Sequence, residues 1–226
     1  MQLAKPHLDI GLFTNRREAQ LAFWQGPVGL AYDHMAKLGG GRQQHRHHCN
    51  GSIVKVNHAR DPLPPLPPSG YAELLIAREG LRAPQPLADP DGNRVTLVPL
   101  GWRGVAGIAV RMAVNDMAAF DRFYAGAMEF ERLPDNAWRC GDTLLLPEPG
   151  KVARSDDWVG PGWRYLTMQV FDCDVAHAAI LRLGGSEGRP PMTIGTTARY
   201  SFVRDPDGNF IEISARTSLT GRSLAG

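Results

Sequence analysis

Apolar and polar residues alternate in three short runs: Leu8-Ile10-Leu12, Ile108-Val110-Met112-Val114 and Leu166-Met168-Val170. This is the period-2 pattern of a half-buried strand. Each run leads into a segment with apolar residues at helical spacing. Asn15 precedes Ala19, Ala22, Phe23 and Trp24, and can cap a helix there. Asn115-Asp116 precedes Met117, Phe120, Phe123 and Tyr124. Asp172 and Asp174 lead into 175–181, a helical pattern that Gly184-Gly185 ends. The predicted unit is strand, helix, then further strands. A fourth unit, about 70–100, is reduced: Tyr71 to Ile76 reads as its first strand, but 78–88 carries no long helix.

The units are tied together by a repeat. Asp89-Pro90-Asp91-Gly92-Asn93 opens the strand Arg94-Val95-Thr96-Leu97-Val98, and Asp205-Pro206-Asp207-Gly208-Asn209 opens Phe210-Ile211-Glu212-Ile213-Ser214. Pro presets φ, Asp can bond its own backbone and Gly accepts positive φ, so each copy is a tight turn with a mechanism. Two copies closing halves of similar length mark a duplication. The segment Asp61-Pro62-Leu63-Pro64-Pro65-Leu66-Pro67-Pro68 is a semi-rigid spacer, and Gly101-Trp102-Arg103-Gly104 separates the halves. The expected division is an N-terminal domain over 1–100, a C-terminal domain over 104–216 and a tail over 217–226.

Composition narrows the classes. Among 226 residues, 43% are hydrophobic and 21% charged, with a net charge of +2 and scattered Lys and Arg. Neither a nucleic-acid nor a membrane partner is expected from this balance, and no apolar run is long enough to span a bilayer. Cys49, Cys140 and Cys173 are odd in number and far apart, and residues 1–7 lack the apolar stretch of a secretory signal. A cytoplasmic protein is expected, monomeric or homodimeric, with a small molecule as its partner.

Units of this kind, ending in Asp-Pro-Asp-Gly-Asn followed by Phe210-Ile211-Glu212, resemble the vicinal oxygen chelate superfamily. That superfamily includes glyoxalase I, methylmalonyl-CoA epimerase, extradiol dioxygenases and the fosfomycin and bleomycin resistance proteins. The resemblance implies an α+β fold of paired βαβββ modules forming two open, cup-shaped mixed sheets in tandem. It also implies a divalent metal (Zn, Fe, Mn or Ni) in a cup, held by a His on a first strand and a Glu on a last strand.

Strand parity places candidate residues at those positions. In the last strand Phe210, Glu212 and Ser214 share the cup face, and Glu212 matches the ligand Glu. Ala109, Leu146 and Tyr165 occupy the other matching positions of the C-terminal half; Asp9, Lys55, Tyr71 and Thr96 occupy those of the N-terminal half. Glu212 is the expected base or metal ligand, with Tyr165 orienting substrate. Trp163, Thr167, Phe210, Arg111 and Lys55 are expected to contact substrate. His7 shares a strand face with Asp9, and Glu73 with Tyr71, so His7, Asp9 and Glu73 join Glu212 as metal candidates. His45 and His47 complete that set if they face the cup. The Asn50-Gly51 hairpin decides this: a two-residue turn sets them opposite Val56 and Val54 on the helix side, a three-residue turn inside the cup. An exposed polar edge strand is the alternative reading of this segment.

Three functions fit these residues. The first is an enzyme acting on a small substrate with vicinal oxygens by lyase- or isomerase-type proton transfer, with or without a metal. The second is ring-cleaving dioxygenation, which needs two His and a carboxylate around iron. The third is a binding protein that sequesters an aromatic compound unaltered.

Overall fold

The computed structural model describes residues 1–222, and the four units follow in the expected order. The first contains β1 (Asp9–Thr14), α1 (Arg17–Gln25), β2 (Ala31–Gly39), β3 (Arg42–Cys49) and β4 (Ser52–Ala59). The second has β5 (Tyr71–Arg78), β6 (Gln85–Ala88) and β7 (Arg94–Pro99), with no helix among them. The third contains β8 (Ile108–Val114), α2 (Met117–Asp121) running on as a π-helical stretch over Arg122–Ala127, β9 (Glu131–Leu133), β10 (Ala137–Cys140) and β11 (Thr143–Pro149). The fourth contains β12 (Gly162–Gln169), α3 (Cys173–Arg182), β13 (Ser186–Ile194), β14 (Ala198–Arg204) and β15 (Phe210–Arg216). The expected tail over 217–226 opens on α4 (Thr217–Thr220), and its last four residues lie outside the described ones.

The units do not pair as the halves of the sequence suggest. One sheet has the order β13-β14-β15-β12-β1-β4-β3-β2, joining the first and fourth units; the other, β6-β7-β5-β8-β11-β10-β9, joins the second and third. The expectation that 1–100 and 104–216 each close a cup of their own is therefore corrected. Antiparallel pairing of β1 with β12 and of β5 with β8 sets this arrangement. Alternation within a unit reveals its strands, but not which first strand they meet.

The core lies where the two sheets and their helices meet. Ile10, Leu12, Val54, Val56, Leu166, Ile211 and Ile213 of one sheet join Leu74, Ile76, Val110 and Met112 of the other in one buried cluster with Trp24, Phe120, Tyr124 and Ile180. Each such side chain contributes about 1.5–3 kcal/mol on full burial. Asp116 caps α2 by accepting from Ala118 N and Ala119 N, and Asp172 caps α3 through Val175 N. The expected cap at Asn15 is not made. Its side chain instead binds Ala59 O, Asp61 O and Leu63 N, fixing the start of the proline-rich spacer.

The repeated turn is built alike both times. Asp89 Oδ1 accepts from the backbone of Asp91 and Asn93, and Asp205 Oδ1 from Asp207 and Asn209. The other carboxylate oxygen takes a donor from a helix, Gln20 Nε2 at 2.8 Å in the first copy and Tyr124 Oη at 3.0 Å in the second. The motif thus fastens helix to sheet as well as turning the chain. Among the described residues no helix is long and apolar enough to cross a membrane.

Candidate functional site

The concave face of the eight-stranded sheet gathers four side chains from four strands. Registers Asp9↔Thr167, Thr167↔Glu212 and Gly11↔Lys55 place β1, β4, β12 and β15 side by side. Lys55 is 2% exposed, and its Nζ donates to Thr167 Oγ1 at 2.6 Å and Glu212 Oε2 at 2.7 Å. Thr167 Oγ1 also donates to Glu212 Oε2 at 2.7 Å. Burial pushes the Lys55 ammonium below its ordinary pKa, while Glu212 and Asp9 act against that shift. Glu212 keeps 14% side-chain exposure, so this carboxylate faces the opening. Asp9 is buried and accepts from Lys5 Nζ at 2.6 Å and Ile53 N at 2.9 Å.

One end of the cup is aromatic. Phe13, Tyr165, Phe202 and Phe210 form a buried cluster against which Trp158 packs, its ring centroid 4.7 Å from that of Phe202. Trp158 comes from the loop between β11 and β12. Arg164 binds that loop at Asp157 O and Arg204 binds it at Ser155 O and Asp156 O. Tyr165 lies in this cluster with its hydroxyl 3.2 Å from Gln44 Nε2 and 3.1 Å from Asn57 Nδ2. Burial pushes the Tyr165 phenol well above its ordinary pKa. Gly11 of β1 passes under the ring, and any Cβ there would overlap it.

A divalent metal does not fit these donors. The Lys55 ammonium bonds Glu212 and Thr167, and Asp9 is taken by Lys5, where a catalytic metal needs about three anionic or imidazole ligands. Among the described residues no group of three or more His, Cys, Asp or Glu is arranged to hold a metal.

The remaining candidates fall elsewhere. Asn50 and Gly51 have φ of 49° and 84°, and Cys49 faces Ser52, so the hairpin is the two-residue type. His45 and His47 therefore pair with Val56 and Val54 on the helix side, away from Asp9 and Glu212. They are buried against Tyr32, which excludes the exposed-edge reading at these two positions. Trp163 also turns inward. A bulge pairs Tyr165 with Gly11 but Trp163 with Leu12, so the two aromatic residues face opposite sides, and Trp163 packs on Trp24. His7 lies over the Gly51 turn, 3.4 Å from Asp142, outside the cup.

Glu73 and Arg111 belong to the seven-stranded sheet. A second bulge separates Glu73 from Tyr71, which turns into the core and donates to Phe210 O. Glu73 accepts from Thr96 Oγ1 at 2.6 Å and lies 3.1 Å from Arg111, which also binds Glu148 at 2.7 Å. Arg111 and Glu148 line an open cleft of about 960 Å³ together with Leu144 and Leu146. Its cation is the more open of the two, since the Arg111 side chain is 26% exposed against 2% for Lys55. Sequence reasoning missed Arg46, Gln44, Asn57 and Trp158 in the other cup. Arg46 pairs with Lys55 in the two-residue register, so the hairpin turn carried the signal that could have found it.

The profile of the Glyoxalase/Bleomycin resistance protein/Dioxygenase superfamily matches residues 108–213. The whole chain has the same fold, two curled mixed sheets with few helices. Glyoxalase I from Zea mays superposes with a TM-score of 0.73 at 15% identity, covering 95% of each chain. A Bacillus subtilis protein assigned as a dioxygenase superposes at 0.70 with 11% identity, covering 95% of this chain and 86% of that one. No curated protein sequence matches the chain.

Proposed function

We propose that the eight-stranded cup is the active site of an enzyme that moves a proton on a small organic substrate with adjacent oxygens, in lyase- or isomerase-type chemistry. The observation that carries this reading is the buried Lys55–Thr167–Glu212 cluster, with Glu212 at the opening. Such a reaction needs a base beside a carbon made acidic by a neighbouring carbonyl, and a group that holds the charge developing on the carbonyl oxygen. Glu212 takes the proton from carbon. The Lys55 ammonium donates to the oxygen that becomes enolate-like, and Thr167 steers the carboxylate. Returning the proton from Glu212 to the neighbouring carbon completes an isomerisation with no atom gained or lost. Phe210 and the ring of Tyr165 form the apolar wall. The superfamily relationship of 108–213 supports an enzyme without choosing the reaction.

Ring cleavage is not favoured, because His45 and His47 are turned away from both carboxylates. The aromatic end of the cup supports a second reading, capture of an aromatic compound without chemistry. Turnover of a panel of 2-oxo and 2-hydroxy compounds by wild type and Glu212→Gln decides between them. The variant should lose activity by about 10²-fold or more, the scale of a positioned base. Equal turnover by the two proteins removes Glu212 from the chemistry, and a bound aromatic recovered unaltered favours capture.

A further inference from the structure

The same face carries two arginines that the Lys55–Glu212 cluster does not use. Arg46 faces Lys55 across β3 and β4. Arg216 lies two and four positions beyond Ser214 and Glu212 on β15, and so on their side of the strand. Their charges are in surplus. Asp9 is matched by Lys5 at 2.6 Å and Glu212 by Lys55 at 2.7 Å. The carboxylate beside Arg46 is Asp33 at 3.7 Å, on the exposed edge strand β2 and shared with His34 and His48. Arg216 makes no ion pair among the described residues.

Hydrogen bonding is incomplete at the same place. Arg46 Nε, Gln169 Oε1 and Ser214 Oγ are buried without a hydrogen-bond partner among the described residues, on residues 7%, 1% and 1% exposed. Gln169 and Ser214 are cross-strand neighbours, so two of these atoms arise side by side. A buried donor left unpaired costs about 1–3 kcal/mol, and two guanidinium groups sharing a half-enclosed face repel one another. Arg216 accordingly sits below its ordinary pKa, through burial first and the charge of Arg46 second. Gln44 Oε1 accepts from Arg46 Nη1 at 3.0 Å and fixes one arm of its fork, while Nε faces Asp33 at 3.7 Å, too far for a hydrogen bond.

We propose that the eight-stranded cup takes a substrate bearing a carboxylate, which Arg46 and Arg216 bind while its adjacent oxygen rests on Lys55. A planar guanidinium matches a carboxylate in two parallel hydrogen bonds. The Ser214 hydroxyl supplies a further donor. The substrate class is thus a 2-oxo or 2-hydroxy carboxylate. The carboxylate satisfies the surplus cations, the 2-oxygen meets the ammonium and the neighbouring C–H faces Glu212. This inference rests on the proton-transfer reading for the role of Glu212, but not for the binding of the anion.

Calorimetric titration with pyruvate and oxalate tests it, with butane-2,3-dione as the uncharged control and inorganic phosphate as the other oxyanion. Pyruvate and oxalate should bind wild type more tightly than either control. Arg46→Gln and Arg216→Gln should each weaken binding by about 10- to 100-fold, the scale of hydrogen bonds to a charged group. Arg46→Lys should fall between, since it keeps charge but loses the fork. Thermal melts establish that each variant is folded, and if Arg46→Gln is not, Arg216→Gln at the end of its strand decides alone. The proposal is overturned if wild type binds neither carboxylate, if the Gln variants bind them equally well, or if phosphate binds as tightly as pyruvate. Glu212→Gln separates the two claims. Carboxylate binding without any turnover upholds the anion site and removes the proton-transfer reading. Glu212-dependent turnover confined to the dione does the reverse.

Discussion

Replacing Lys55 with Met keeps the length of the side chain and removes its charge. At 2.7 Å, the gross attraction between Lys55 and Glu212 is about 6 kcal/mol at an effective dielectric near 20. Taking the ammonium out of water offsets several kcal/mol of that. Removing it from the folded protein leaves Glu212 and the nearby Asp9 less compensated, and breaking a buried pair in this way costs about 3–5 kcal/mol. Glu212→Gln should cost less, because this side chain keeps contact with solvent. The two losses should not add: once Lys55 is gone, neutralising Glu212 has little left to remove, and the coupling should be about 2–3 kcal/mol. Urea unfolding of wild type, the two single variants and the double variant, followed by circular dichroism at pH 7.5, measures all four corners of the cycle. A coupling below about 0.5 kcal/mol would show that the ammonium is not held by the carboxylate, and the proposed electrostatics of the site would fall with it.

Three further outcomes follow from particular contacts. Gly11→Ala forces a methyl group into the Tyr165 ring and should cost about 1–3 kcal/mol by overpacking; an unchanged melting temperature contradicts the described packing. His47 is fully buried with both ring nitrogens unpartnered, and burial pushes its pKa from 6.5 down to about 4. The unfolded chain then takes up the proton first, so this residue's contribution to stability falls as pH drops from 6.5 towards 4. His47→Leu should therefore be stabilised relative to wild type at pH 5 more than at pH 8, and an equal difference at both argues against a depressed imidazole. Lys55→Glu would set a third carboxylate among Asp9, Thr167 and Glu212, so Mn²⁺ or Zn²⁺ should raise the melting temperature of this variant and not of wild type; the absence of a shift would mean that Lys55 does not fill the metal's place.

Much of the fold was legible because alternation and helical spacing are local properties. The runs at 8–12, 108–114 and 166–170 became β1, β8 and β12, and the patterns after them became helices. Facing was legible only where pleating is regular. Glu212, Phe210 and Thr167 followed parity, but a bulge at Arg164 reversed Trp163 and another near Ala72 reversed Tyr71. A bulge is a one-residue change in pairing with a partner far away in sequence, and nothing at Trp163 itself announces it. The grouping of the candidates was the least legible part. Glu73 and Asp9 both lie in the first half of the sequence, whereas the sheets place them in different cups. Arg46 is flanked by histidines with the more familiar ligand chemistry, yet the same hairpin that turns His45 and His47 inward turns Arg46 towards Lys55.

The pairing of the first unit with the fourth also sets an order of assembly. Strands β5 and β8 pair in the seven-stranded sheet with only β6 and β7 between them along the chain, so their contact closes over a comparatively short stretch. Strand β1 must wait for β12, more than 140 positions later, and β15 comes later still. Long loops close slowly and are rewarded only when both ends are present. During synthesis, therefore, Lys55 leaves the ribosome long before Glu212 exists. The candidate centre is completed only when the final strand arrives, and until then the growing chain carries a scaffold without its chemistry.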